Sequence, residues 1–189
     1  MAVYNTPSDA ANTAVRAFLT AVGEFYYGSS FNTGNGKGEK VWNEIKEDFG
    51  NRCAYCDSDS KLQVEHLVMF NRTEYGLHHP GNIVPVCAAC NKRALDENKK
   101  PVPWDEQLRR RNALATDEAI MSRLDRIHTH IAKYEYPHLS YTEQKAIAVI
   151  AESLYTNIKS ESQKALELYK KLDEAFVEGA EPRNAADSR

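Results

Sequence analysis

The residues best suited to chemistry lie in and between two cysteine pairs, Cys53–Cys56 and Cys87–Cys90. Each pair has the spacing Cys-x-x-Cys, which lets two thiolates from one tight turn bind the same metal ion. The chain has four cysteines, and all of them belong to these pairs. We expect the four to bind one structural Zn²⁺ ion in a reducing cytoplasm, with redox or disulfide pairing as the alternative.

Four polar residues accompany the cysteines: Glu65, His66, Asn82 and Asn91. A neutral imidazole can take a proton from water near neutral pH, which makes His66 a candidate general base. Mg²⁺ accepts carboxylate and amide oxygens beside several waters, so Glu65 and Asn91 are candidate ligands of a catalytic Mg²⁺ ion. The alternatives are a further zinc ligand for His66, a surface carboxylate for Glu65, and ordinary turn or helix positions for the two asparagines.

The pattern Cys-x-x-Cys, Glu-His, Gly-Asn-Ile-Val-Pro-Val-Cys and Cys-Asn resembles the HNH nucleases of the ββα-metal group over residues 50–96. The resemblance implies that His66, Asn82 and Asn91 fill the three motif positions. Glu65 fills the acidic position, which is more often Asp in that family. It also implies Mg²⁺-dependent cleavage of DNA, with an Asn82 side chain that ties down the loop backbone and so aims His66.

The elements that must position these residues are short. Alternating apolar and polar residues predict a strand over residues 61–65, and a β-branched run predicts another over 83–86. Pro85 cannot donate to a strand ladder, which keeps the second strand short or at an edge. Good helix formers predict a helix over 88–95. His78 and His79 fall in the connecting loop, where we expect them to be solvated.

Helical periodicity dominates both flanks, so the predicted fold is α+β and mostly helical, with a ββα-metal core and a four-cysteine zinc site. Ser8 is the candidate N-cap of a first helix that runs up to Gly28. The Gly-rich stretch 29–38 predicts a flexible linker. We expect further helices over three ranges: 39–49, 104–114 and 117–135. The predicted domains are 1–38 (N-terminal helix and linker), 39–100 (nuclease core) and 101–189 (C-terminal helices).

The last long segment, 142–177, contains neither Pro nor Gly. Its apolar stripe breaks at Glu161 and Ser162, and Ser160-x-x-Gln163 has the form of a capping box. These two features favour two helices, over 142–158 and 160–178, rather than one continuous helix.

The net charge of −3 is not that of an indiscriminate nucleic-acid binder. Contacts to backbone phosphates should therefore concentrate where positive charge clusters, and the candidates are Arg72, Lys92, Arg93, Lys99 and Lys100. The run 109–111 fits either a phosphate contact or a solvated helix face. No apolar stretch has the length that a membrane span requires.

Two classes of function fit this sequence. Glu65, His66 and Asn91 together favour a metal-dependent DNA endonuclease of restriction or other defence type. The alternative is a catalytically silent zinc-knuckle module that binds nucleic acid or protein. One such site cuts one strand, so we expect a homodimer that presents two. The candidate contacts lie on the C-terminal helices at Leu154, Ile158, Leu168, Leu172 and Phe176, with packing inside one monomer as the alternative.

Overall fold

The computed structural model describes residues 6–177 and shows an α+β protein that is mostly helical. The helices are α1 (Pro7–Tyr27), α2 (Gly36–Asp48), α3 (Ala88–Asn91), α4 (Trp104–Arg111), α5 (Asp117–Lys133) and α6 (Tyr141–Val177). The strands are β1 (Leu62–His66) and β2 (Ile83–Cys87). The outermost parts of the two predicted flanking segments, 1–5 and 178–189, lie outside the described residues.

The two strands form one antiparallel pair in continuous register. Leu62 lies opposite Cys87, and His66 lies opposite Ile83. All five residues of β2 are buried, whereas β1 has one fully buried residue, Glu65. This pairing places Glu65 and His66 at the end of β1, and it places Cys87 at the end of β2, opposite the start of β1.

Two hydrophobic cores hold the helices around this sheet. The first packs α2, α4 and α5 against the strands, and its fully buried side chains include Phe31, Ile45, Ile83, Leu108 and Ile127. The second joins α1 to the first half of α6 and also takes in the loop that follows β1; its members are Val15, Leu19, Leu77, Ile147 and Ala151. The loop between the strands is therefore packed beneath the terminal helices.

Thr6, rather than the predicted Ser8, is the N-cap of α1. The Thr6 hydroxyl accepts a hydrogen bond from the Asp9 amide at 3.2 Å, and the Asp9 carboxylate accepts one from the Thr6 amide at 3.2 Å. This reciprocal pair satisfies two amides that the helix itself cannot. Pro7 suits the first turn because it has no amide to satisfy.

The C-terminal segment is one helix, so the prediction of two helices was wrong. α6 runs through Glu161 and Ser162 without interruption, and the Ser162 hydroxyl donates to the Ile158 carbonyl at 2.8 Å. The polar break weakens the apolar stripe, but it removes no backbone hydrogen bond, because neither Pro nor Gly is present. With 37 residues, α6 is about 55 Å long. Within residues 6–177, no helix combines the length and apolarity needed to cross a membrane.

The prediction that His78 and His79 are solvated was wrong. His79 is 1% exposed and packs edge-on against Tyr27 and Tyr136, with ring centroids 5.5 Å away in each case. Its Nδ1 atom accepts a hydrogen bond from the Gly81 amide at 3.0 Å. Burial, together with the nearby His130, lowers the pKa of His79 to about 4. His78 is half-buried and belongs to the site described below.

The buried His79 should make the protein less stable at mildly acidic pH. Its pKa is lower in the folded chain than in the unfolded one, so the unfolded state takes up a proton first as the pH falls below about 6.5. In His79→Asn, the amide oxygen can still accept from Gly81, but no proton is taken up. Between about pH 6 and about pH 5, the wild type should lose up to about 1.4 kcal/mol per pH unit more than the variant.

Urea unfolding of the metal-loaded proteins across this pH range measures the difference. Loss of metal at low pH affects both proteins alike, so it cancels from the comparison of slopes. Equal slopes would show that His79 is not held neutral by the fold.

Candidate metal centre and polar cavity

The sulfur atoms of Cys53, Cys56, Cys87 and Cys90 all lie within 4.8 Å of one another. None of these cysteines is in a disulfide. The Cys56 and Cys87 sulfurs are 3.8 Å apart, which is far longer than a disulfide bond of about 2.05 Å. It matches the edge of about 3.8 Å of a tetrahedron with Zn–S bonds of about 2.3 Å. This four-cysteine cluster therefore fits a structural metal ion such as zinc.

Backbone hydrogen bonds attach the first cysteine turn to the second strand. The Ala54 amide donates to the Pro85 carbonyl at 2.7 Å, and the Cys53 amide donates to the Ser58 carbonyl at 2.8 Å. The Cys53 sulfur accepts hydrogen bonds from the Cys90 thiol and from backbone amides, which lower the pKa of Cys53 to about 4. Cys53 thus favours the thiolate form that binds metals, whereas burial raises the pKa of Cys56 and the hydrogen bond to Cys53 raises the pKa of Cys90.

We expect purified protein to contain about one zinc ion per chain. Because binding to four thiolates contributes roughly 10–16 kcal/mol in zinc-finger peptides, Cys87→Ser should unfold the centre. Ser58→Ala is the matched control, since the Ser58 hydroxyl lies 3.4 Å from the Cys56 sulfur but completes no tetrahedron. Elemental analysis measures the zinc content of the wild type and of both variants, and circular dichroism measures whether each is folded. A zinc-free wild type that remains folded would contradict the assignment.

Helix α3 ends at Asn91, so the prediction of a helix up to residue 95 was wrong. The buried side chain of Gln107, on α4, donates to the carbonyls of Cys90 at 3.1 Å and Lys92 at 3.0 Å. Its oxygen accepts from the Ala94 amide at 3.0 Å. These bonds satisfy backbone groups that leave the helix early. Gln107 therefore fixes the backbone of Cys90 and Lys92, the residues on either side of Asn91.

Three of the four predicted catalytic residues, Glu65, His66 and Asn91, line one open cavity of about 360 Å³. Its other lining residues are Arg16, Val64, Met69 and Phe70. Arg16 is exposed and comes from α1, far from the motif in sequence. No sequence signal marked it, because nothing in a single amphipathic helix shows which distant loop its polar face will meet.

His66 is held as a neutral imidazole. Burial lowers its pKa to about 3, and the charges of His78, Arg16 and Arg93 act in the same direction. The ring stacks on Phe70, with centroids 4.8 Å apart and planes 14° from parallel. Its Nε2 atom lies 3.1 Å from Nδ1 of His78. His66 is therefore uncharged at physiological pH, with a lone pair on one ring nitrogen, and its ring has a fixed orientation.

Arg93, which the sequence made a candidate for binding nucleic acid, is buried. Its side chain is 5% exposed, and its guanidinium forms an ion pair with the Glu65 carboxylate. It also donates to the carbonyls of His66 at 2.8 Å and Val102 at 3.2 Å. Both bonds to Glu65 end on Oε1, so the guanidinium leaves Oε2 to another partner. Burial raises the pKa of Glu65, and Arg93 opposes that rise.

Removal of Arg93 should destabilise the fold. Arg93→Leu leaves the buried Glu65 carboxylate without its partner, which costs about 3–5 kcal/mol in comparable buried pairs. The exposed neighbour Lys92 provides the control, and Lys92→Ala should change the free energy of unfolding by no more than about 0.5 kcal/mol. Urea unfolding measures both. If Arg93→Leu lowered the free energy of unfolding as little as Lys92→Ala does, the ion pair would contribute little to stability.

The Asn82 side chain spans the loop that follows β1. It is 1% exposed; its oxygen accepts from the Val68 amide at 2.8 Å, and its nitrogen donates to the carbonyls of Val68 at 2.9 Å and Leu77 at 2.8 Å. Asn82 thus ties down the backbone just after His66 without lining the cavity. The Asn91 amide nitrogen donates to the Gln63 side chain at 2.8 Å, which leaves its carbonyl oxygen available to a cation.

The other predicted phosphate-binding residues do not line this cavity. Arg72 stacks on the Tyr155 ring, 3.7 Å from its centroid, and pairs with Glu152 at 3.3 Å, so its charge is partly compensated. The exposed lysines are Lys92, Lys99 and Lys100. In the run 109–111, one arginine pairs with a glutamate of the same helix and another donates to a backbone carbonyl.

Comparison of the chain with models of protein families, with curated proteins and with solved structures finds no match.

Proposed function

We propose that this protein is a metal-dependent DNA endonuclease that hydrolyses phosphodiester bonds by an HNH one-metal mechanism. The observation that carries the proposal is that Glu65, His66 and Asn91 line the same cavity, beside the exposed Arg16. A neutral imidazole, two hard oxygen ligands and a cation are the groups that phosphodiester hydrolysis needs. The choice of DNA follows the resemblance of the motif to HNH nucleases.

The chain's own residues would divide the work as follows. His66 takes a proton from a water molecule, whose oxygen bonds to phosphorus while the bond from phosphorus to the 3′ oxygen breaks, and the 3′ oxygen then takes a proton from solvent. Arg16 offsets the charge of the bound phosphate, whose approach in turn raises the basicity of His66. Oε2 of Glu65 and the carbonyl oxygen of Asn91 would hold Mg²⁺, which supplies Lewis-acid stabilisation of the leaving oxygen.

One observation favours the alternative of a silent zinc module. The ion pair with Arg93 partly neutralises Glu65, which would weaken its attraction for a cation. In that case the polar cavity would bind a partner without cleaving it. The two functions differ in whether divalent ions change the covalent state of nucleic acid.

Nicking of supercoiled plasmid tests the proposal. Wild-type protein should nick DNA when Mg²⁺ is added, and His66→Ala should cut about 10²–10⁴-fold more slowly, because the general base is lost. Arg16→Ala should raise KM by weakening phosphate binding. Mg²⁺ should be withheld rather than chelated, since a chelator would also strip the four-cysteine cluster.

His138→Ala is the matched control, because His138 is an exposed histidine outside the cavity. The variant purified in the same way should cleave like the wild type, and its zinc content should equal that of His66→Ala. Equal cleavage by wild type and His66→Ala would reveal a contaminating nuclease or a wrong base. Binding without cleavage by zinc-loaded wild type would favour the silent module.

We also propose that two copies associate through the second half of α6. The first half packs on α1 through Ile147 and Ala151, with Leu154 half-buried beside them, so packing inside the monomer accounts for that part of the stripe. Beyond it, four apolar side chains that share one face remain between 45% and 83% exposed: Leu168, Tyr169, Leu172 and Phe176. A twofold dimer would cover them and present two cutting sites to the two DNA strands.

Leu168→Glu should shift the protein from dimer to monomer in light scattering at micromolar concentration, since it puts a charge into the apolar contact. Gln163→Glu is the matched control. Gln163 is also exposed, but five residues along a helix leave it about 140° away from Leu168, outside the face that the four apolar side chains share. A wild type that is monomeric with and without DNA would contradict the dimer and predict nicking of one strand.

A further inference from the structure

The His66 ring has a neighbour that the catalytic motif does not include. Nε2 of His66 and Nδ1 of His78 are 3.1 Å apart, a hydrogen-bond distance between two ring nitrogens. His78 does not line the cavity, whereas His66 does. The Nε2 side of His66 is therefore occupied by protein, and Nδ1 is the nitrogen that remains for a substrate.

We propose that His78 is a positioning residue, which accepts a hydrogen bond from Nε2–H of His66 and so leaves the Nδ1 lone pair of His66 as the proton acceptor. This inference rests on the proposed function, in which His66 is the general base. It adds a second histidine that decides which tautomer the base adopts.

The proton between the two rings has two arrangements. If His66 donates from Nε2, its Nδ1 carries a lone pair and can accept a proton from water. If His78 donates from Nδ1, the Nε2 atom of His66 accepts that hydrogen bond, and the proton of neutral His66 sits on its own Nδ1. No lone pair is then left on Nδ1 to accept a proton from water. Arg16 lines the same cavity, and its positive charge favours a lone pair there over an N–H group.

Helix α1 fixes the position of His78. Gly23 lies on α1, and a Cβ atom at that residue would come within 2.3 Å of the His78 carbonyl oxygen, so only glycine allows the contact. The His78 ring packs on Phe31 at 5.1 Å, and Phe70 contacts both imidazoles, at 4.8 Å and 5.5 Å. The N-terminal helix therefore holds His78, and His78 holds His66.

Nitrogen-15 NMR tests the tautomer directly and requires no cleavage. Long-range ¹H–¹⁵N correlation spectra of zinc-loaded wild type at neutral pH distinguish protonated from bare ring nitrogens, and His66→Gln assigns the signals. We expect His66 to carry its proton on Nε2, and His78→Leu to lose that preference. Protonation of His66 at Nδ1 in the wild type would overturn the proposal.

Kinetics provide the second readout. His78→Leu should lower kcat by about 10-fold or more with KM unchanged, as expected when an orienting hydrogen bond is lost. His78→Asn should restore most of kcat, because its amide oxygen can accept from Nε2–H, and His138→Leu should match the wild type. Equal losses in the leucine and asparagine variants would overturn the positioning role.

Failure of the proposed nuclease function and failure of the proposed role of His78 would give different results. A wild type that never cleaves DNA would refute the proposed nuclease function, and the NMR spectrum would still decide the His66 tautomer. A wild type that cleaves with His66 protonated at Nδ1 would refute the role of His78 alone.

Discussion

The four-cysteine cluster is the constraint on which the rest of the site depends. Two five-residue strands and a four-residue helix are too short to be stable alone. The cluster joins them, because Cys87 ends β2 and Cys90 lies in α3, one residue before Asn91. Pairing of the strands then carries the same constraint to Glu65 and His66. A metal ion bound outside the cavity would thus set the relative positions of three catalytic candidates.

Buried polar side chains, together with the cluster, fix the positions of the site residues. Asn82 closes the loop after His66, Gln107 ends α3 at Asn91, and Arg93 holds one oxygen of Glu65. Each satisfies backbone or charged groups that would otherwise be costly to bury. These three side chains do not react themselves, but each fixes the position of a residue that the proposed reaction uses. Their loss would therefore displace those residues.

The sequence was informative where the signal was local. The cysteine spacing predicted the cluster. Hydrophobic alternation placed β1, and the β-branched run placed β2, to within one residue at their ends. It failed where a distant partner decided the outcome. The early end of α3 depends on Gln107, the burial of Arg93 on Glu65, and the burial of His79 on rings from α1 and from the segment after α5. Arg16 reaches the cavity only because α1 packs over the loop.

Binding of Mn²⁺ to zinc-loaded protein tests the central claim most directly, since Mn²⁺ takes the same oxygen ligands as Mg²⁺ and broadens nearby NMR signals. If Glu65 and Asn91 form a cation site in the cavity, Mn²⁺ should broaden the amide signals of Glu65, His66 and Asn91 in the wild type. Glu65→Gln should remove most of this effect. Broadening that is absent from these residues, or equal in the variant, would contradict a catalytic metal site in this cavity.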